Sequence, residues 1–448
     1  MFSNYRKYAS QKNAHPNASS HDSLRAEEKR RDSPRPSLQK IAILMSIIGF
    51  TSCSQEDEQY LTASEAKASN KVSVEEAKEN VIDFVNNIYK NNTRAFAKNI
   101  SIANVKPVSV KNGTRAGASI NTDTLFYIVN FSDSCGFAIA SANKNETPIL
   151  ALVENGNYDY NETDSLNPGF EAFMDAMVEH EMNGLQHYTV MPRDNFGEGG
   201  GSSSNYIPNK FEVMSPLLKT KWGQTFPYNT YCPGKYTGCV VTAVSQICSF
   251  LEAPTNIRYQ YNSEFGQASM NWTKINKECQ LSVPLWSEDT KEQIARMMRF
   301  WGVTFEANYN SNSTSVNTDD AVKKMRNGFG FNVSGLSDYN IDNVIKDLKN
   351  GNKIILMRGN GRYYHVAFVV RKYVDGHAWV VDGYIDQVKN SKRSKYVHCN
   401  WGWDGNKNGY FLSDVLNAEE APVYGDNIAS STRSNNYKYK LKTATFTK

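Results

Sequence analysis

A thiol that attacks a carbonyl must be deprotonated, and it needs a base within hydrogen-bond reach. Cys239 stands in Thr237-Gly238-Cys239-Val240-Val241-Thr242-Ala243-Val244-Ser245-Gln246-Ile247-Cys248. Val240, Ala243, Val244, Ile247 and Leu251 recur at helical spacing and Pro254 stops the run, which predicts a helix with Cys239 in its first turn. There the unpaired backbone N–H groups and the helix dipole favour a thiolate. Gly238 lets a substrate backbone come close, whereas Cys248, nine residues on, is placed to pack. The plain alternative for Cys239 is a buried side chain with no chemistry.

Two histidines compete as the base. His377 opens a strand just after Gly376 in Asp375-Gly376-His377-Ala378-Trp379-Val380-Val381, so its ring can project into a cleft. His365 opens Tyr363-Tyr364-His365-Val366-Ala367, where the plain reading is a half-buried strand histidine. His398, in Tyr396-Val397-His398-Cys399, points to one sheet face. Asn400-Trp401-Gly402-Trp403-Asp404-Gly405 follows. An amide or indole beside an imidazole can fix its orientation and shield it from water; the alternative is two indoles packed at a turn. Upstream, Gln224 lies in Trp222-Gly223-Gln224-Thr225-Phe226-Pro227. Its carboxamide N–H₂ with the cysteine's backbone N–H would make an oxyanion hole; otherwise it is a solvated loop residue.

The elements that must hold these residues are legible in outline. All seven Trp residues lie between Trp222 and Trp403, which marks a separately composed C-terminal domain. The run Gly197-Glu198-Gly199-Gly200-Gly201-Ser202-Ser203-Ser204 before it reads as a flexible, protease-accessible linker. Ahead of the linker, Ala77, Val81, Phe84, Val85 and Ile88 predict a helix. Strands are expected at Leu125–Phe131, Gly136–Ala140 and Thr147–Val153, and a closing helix carries Phe170, Phe173, Met174, Met177 and Met182.

The chain has 448 residues and a formal net charge of +4. Residues 1–52 carry a net +5, so the remainder is near neutral, which argues against a nucleic-acid binder held by a basic face. Ile41–Phe50 is the one strongly apolar run, too short for a mature membrane span. With Arg30, Arg31, Arg35 and Lys40 before it and Thr51-Ser52-Cys53 after it, it has the parts of an export signal and resembles a bacterial lipoprotein box. On that resemblance Cys53 is the lipidated first residue; cleavage nearby with plain secretion is the alternative. The seven cysteines show no CxxC and the seven histidines no HExxH, so no metal is expected. Asp404, Asn406, Asn408 and Gly409 imitate the start of a calcium loop, but Val415 stands where the bidentate Glu belongs, and a tight turn is the better reading.

Four segments, WGQTFPYN, TGCVVTAVSQI, GHAWVVDGY and HCNWGWDGNKNGYF, together resemble the streptopain family of papain-like cysteine peptidases, in order and spacing. FYIVNFSDSCGFAIAS and ETPILALVENGNYD resemble that family's inhibitory prodomain. The resemblance implies Cys239 as nucleophile, His377 as proton acceptor, Gln224 in the oxyanion hole and Asn400 or Trp401 as the orienting group. It places Ser315, Gly376 and Trp403 among substrate contacts, Ser315 in a loop less Gly-rich than the family's. Gly361–Val374, before His377, departs from the family as an insertion or extended hairpin, and NWGWDG adds Asp404.

The expected fold is α+β: a papain-like two-subdomain peptidase, helical part against twisted antiparallel sheet, preceded by a small α+β prodomain. The expected organisation is leader and signal 1–52, tether 53–75, inhibitory prodomain 76–190, Gly/Ser-rich activation linker 191–210 and peptidase 211–448. The expected activity is a self-inhibited cysteine endopeptidase acting on protein or peptide substrates without a cofactor. It would sit in the cell envelope through a lipid anchor, in the outer membrane or at the cell surface, or be secreted. The rival is a non-catalytic surface binding or inhibitor protein on the same scaffold.

Overall fold

Ala77, Val81, Phe84, Val85 and Ile88 are all buried on one face of helix α1 (Val74–Asn91), the four larger side chains each worth about 1.5–3 kcal/mol relative to exposure. The computed structural model describes residues 70–91, 100–109, 124–161, 167–190, 207–326, 328–366, 370–416 and 439–448. Cys53, the leader and the Gly197–Ser204 run lie outside the described residues. Beneath α1 are strands β1 (Ile102–Ser109), β2 (Thr124–Phe131), β3 (Phe137–Ser141) and β4 (Ile149–Val153), paired antiparallel in that order. Helix α2 (Pro168–Val190) follows, burying Phe170, Phe173, Met174 and Met177.

The C-terminal part begins with β5 (Lys210–Met214) and helix α3 (Cys239–Leu251). The hairpin β6 (Asn256–Tyr261) and β7 (Glu264–Ser269) follows, then α4 (Trp272–Glu278) and α5 (Glu288–Thr304). Two-residue strands β8 (Asn308–Tyr309) and β9 (Thr314–Ser315) precede α6 (Thr318–Met325). Short β10 (Asn332–Val333), β11 (Ser337–Asp338) and helix α7 (Ile341–Leu348) lead into the main strands. These are β12 (Lys353–Val366), β13 (Val370–Lys389), β14 (Lys392–Asn400), β15 (Gly409–Leu412), the one-turn helix α8 (Ser413–Leu416) and β16 (Tyr439–Thr447). Within Gly361–Val374, Arg362–Val366 pairs with Val370–Val374 as the outer part of the long β12–β13 ladder.

Strands β12 and β13 are apolar on both sides because each divides its side chains between two cores. Ile354, Leu356, Ala378 and Val380 face the core that holds α3 and α5. Ile355, Met357, Trp379 and Val381 face the core shared with the N-terminal elements. This is the period-2 alternation of a sheet covered on both faces. The N-terminal strands do not form a sheet of their own. β4 pairs antiparallel with β15, Leu152 opposite Tyr410, and joins both parts in one twelve-stranded sheet. Gly409 permits this, since a Cβ there would stand 2.2 Å from the Leu152 carbonyl oxygen.

Candidate active site

Cys239 is the first residue of α3, as the spacing predicts, and Gly238 before it has a φ of 97°. That left-handed backbone suits glycine, and a Cβ would also press within 3.0 Å of Thr314 Cγ2. The Cys239 thiol is half-buried. Burial raises its pKa, against the backbone N–H groups of Ala378, Val240 and Cys239, which pull it down. Cys248 is fully buried on the same helix, and burial pushes its thiol up.

His377 enters from β13, opposite Gly359 of β12. It is buried, flanked by Trp379 and Trp401 at ring-centroid distances of 5.9 and 6.4 Å. Its Nε2 lies 3.1 Å from the Trp401 carbonyl oxygen. A carbonyl only accepts, so Nε2 carries the hydrogen and donates it. Burial lowers the imidazole pKa to about 4, outweighing that hydrogen bond, and the ring is neutral at pH 7. Among the described residues no hydrogen bond joins the Cys239 sulfur to His377. Both groups are therefore held in their uncharged forms. His365 lies six ladder positions beyond His377, paired with Arg371, about 20 Å along the hairpin.

A groove of about 300 Å³ is bordered by Cys239, His377, Ser315 and Gly376, with Arg358 and Asp319 also on its wall. The latter two form an ion pair at 2.8 Å. Gln224 is buried, and its Nε2 has no hydrogen-bond partner among the described residues. A buried amide donor left open is costly, and Gln224 itself is not among the residues that border the groove. The backbone of the same residue is fixed, its carbonyl accepting from Thr237 N–H at 2.9 Å.

The Asn400 amide faces away from His377. It donates from Nδ2 to the Thr220 carbonyl at 3.0 Å and accepts at Oδ1 from Gln246 Nε2 at 3.1 Å. It thereby ties the end of β14 to α3. The group that meets the imidazole is the Trp401 carbonyl instead. The indole of Trp403 packs edge-on against Tyr236 at 5.8 Å and does not border the groove. The Asp404 carboxyl fills the space beside Gly223, where a Cβ would stand 2.2 Å from Oδ2.

Sequence reasoning missed the groups that the N-terminal part sends to this site. Asn167 caps α2, accepting from Phe170 N–H at 3.1 Å, and donates across to the Asn406 carbonyl at 2.7 Å. The Asn-Pro-Gly that opens the helix was the available signal. Gly169 then meets the site itself: a Cβ there would lie 2.3 Å from Trp401 Cε3 and 2.9 Å from His377 Cδ2. The start of α2 is packed on the face of the histidine.

A second junction is ionic. His398 Nδ1 is 2.6 Å from Asp382 Oδ1, and its Nε2 is 3.0 Å from Oε1 of Glu154, which follows β4. Lys221 Nζ reaches the other Glu154 oxygen at 3.3 Å, and the Tyr410 ring stands edge-on to the imidazole. Burial alone would depress His398, yet Asp382 and Glu154 lift it to about 9. Burial would likewise raise Glu154, yet His398 and Lys221 hold it at about 2. The raised His398 contributes attachment that is complete below its ordinary 6.5 and lost as pH rises through about 9. The depressed Glu154 contributes attachment present above its ordinary 4.5 and lost as pH falls through about 2. Glu154→Gln should cost about 3–5 kcal/mol of prodomain attachment between pH 5 and 6.5, and the difference from wild type should shrink toward pH 9. Retention of the N-terminal fragment on gel filtration, after a specific cut placed in the Gly197–Ser204 run, measures this. Equal retention of the two proteins at every pH would remove the junction's role.

Residues 222–411 match the Peptidase C10 family model, and residues 69–181 match the Spi protease inhibitor model. Streptopain of Streptococcus pyogenes is 23% identical over 369 residues, covering 70% of this chain and 82% of that protein. The thiol protease/hemagglutinin PrtT of Porphyromonas gingivalis is 24% identical over 335 residues, 67% of this chain and 35% of that protein. A fragment of Prevotella intermedia prointerpain A superposes with a TM-score of 0.48 at 23% identity, over 72% of this chain and 95% of that one.

Proposed function

Because the chain belongs to the streptopain family of cysteine peptidases and carries an inhibitory prodomain of the Spi type, we propose that it is an exported cysteine endopeptidase made as a self-inhibited zymogen. The observation that carries this reading is the pairing of Cys239 and His377 on two walls of one groove, with an N-terminal helix seated on the histidine.

In the active form the imidazole turns from the Trp401 carbonyl toward the sulfur and takes its proton. The thiolate of Cys239 attacks the scissile carbonyl carbon. The carbonyl oxygen becomes an oxyanion, which the Gln224 Nε2–H and the Cys239 backbone N–H stabilise. The imidazolium gives its proton to the leaving amine as the C–N bond breaks, leaving an acyl-enzyme. His377 then deprotonates water, which attacks the thioester carbonyl and releases the acid and the free thiol. Trp379 and Trp401 keep the ring shielded, Asn400 braces the turn that carries Trp401, and Ser315 and Gly376 border the path of the substrate backbone. Export through the Ile41–Cys53 segment with a lipid on Cys53 places this activity at the cell envelope.

The activated protein should lose hydrolysis of a peptide substrate by several orders of magnitude on His377→Ala, and by far less on His365→Ala. An epoxide inhibitor of thiol peptidases should label Cys239 in the wild type. Turnover of the two purified variants and mass spectrometry of the labelled peptide decide it. The reverse ranking of the histidines would move the base; an unlabelled, inert wild type would favour the binding-protein reading.

A further inference from the structure

Glu146 stands between β3 and β4, and His180 and Glu181 stand on α2 three turns from the end that meets His377. One ligand atom from each of the three lies within 4.8 Å of the others. His180 Nε2 and Glu146 Oε2 are 3.5 Å apart. That is close to the ligand–ligand separation of about 3.4 Å around a tetrahedral ion with bonds of about 2.1 Å. Glu181 is 1% exposed. Its Oε2 accepts from Ser141 Oγ at 2.6 Å, while Oε1 has no hydrogen-bond partner among the described residues. A buried carboxyl oxygen left open costs free energy that a cation would recover. His180 and Glu146 keep about a fifth of their side chains exposed, which leaves a way in for an ion.

We propose that Glu146, His180 and Glu181 form a binding site for a zinc-class divalent cation on the prodomain. One imidazole nitrogen with two carboxylates suits Zn²⁺ and its neighbours, whereas Ca²⁺ asks for six to eight oxygens. Water completes the coordination on the exposed side. The site ties α2 to the β3–β4 connection. It also adjoins α8 of the peptidase part, which packs on α2 and whose Asp414 adds a negative field at His180. On the reading of the prodomain as inhibitor, a bound ion would stiffen the helix whose first turn covers His377.

The test titrates ZnCl₂ into the full-length Cys239→Ala protein by calorimetry, with Glu181→Gln and His180→Ala in the same background. Removing Cys239 takes the active-site thiol out of competition, and the readout needs no peptidase activity, so it stands whether or not the chain proves to be a peptidase. Saturable 1:1 binding, weakened at least about tenfold by each variant and not competed by CaCl₂, is the expected result. Circular dichroism and thermal melts confirm that the variants are folded; Glu181→Gln keeps the side-chain shape should His180→Ala fail to fold. No saturable binding, or binding that the folded variants leave unchanged, overturns the site.

Discussion

Cys239→Ala abolishes hydrolysis in the activated protein, lowering turnover by at least about 10⁴-fold, and leaves thermal stability within about 1 kcal/mol of wild type. A proposed nucleophile is a single atom, and among the described residues no other thiol borders the groove. The side chain is only half-buried, and its removal leaves α3 intact because Gly238, not Cys239, occupies the N-cap position. Cys248→Ala should show the opposite pattern. It lies wholly in the core under the same helix, so its loss opens a small cavity and costs about 1 kcal/mol or somewhat more, with turnover preserved. Peptide hydrolysis and melting curves on both variants give the four numbers needed. Near wild-type turnover in Cys239→Ala would refute the assignment.

Gly169→Val acts on the other half of the molecule and should switch activity on. The space around Gly169 is taken by the Trp401 and His377 rings, at distances no Cβ tolerates. Valine must therefore push the start of α2 off the site or distort both rings. Overpacking of this kind costs about 1–3 kcal/mol, which corresponds to roughly a fivefold to 150-fold rise in the open form. The uncut precursor of Gly169→Val should thus react with the epoxide inhibitor about ten to a hundred times faster than the wild-type precursor. After the prodomain is removed the two proteins are identical in sequence and must react alike, which makes the comparison internally controlled. Equal rates in the two precursors would show that the helix does not hold the histidine.

The local half of this architecture was legible. The 3.6-residue recurrence of Ala77, Val81, Phe84, Val85 and Ile88 specified one helix, and Val240 to Leu251 specified another with Cys239 at its head. The apolar runs around Trp379 and Tyr396 read as strands because both their faces are covered. The family resemblance, not the local residues, singled out His377 over His365 as the partner of Cys239; the two border one groove. What was not legible is what long-range pairing decides. The β4–β15 ladder joins residues about 260 apart, and nothing near Leu152 or Tyr410 announces the partner. Asn400 looked free to orient an imidazole, but its amide is taken by Gln246 and Thr220. Nothing in the sequence links Glu154, Asp382 and His398, since their meeting depends on how two separately composed segments dock.

The shared sheet bears on how the molecule is made. Strands β1 to β4 join near neighbours in sequence, so they and α1 can assemble as soon as they leave the ribosome. β15 emerges roughly 260 residues later and needs an edge to pair with. β4 is then already standing, with Ala151, Leu152 and Val153 in register for Phe411, Tyr410 and Gly409. The N-terminal part, whose helix α2 covers the histidine in the finished protein, thus also offers in β4 the edge on which β15 can pair. A chain synthesised without it would have to close its central sheet around an unpartnered, apolar edge.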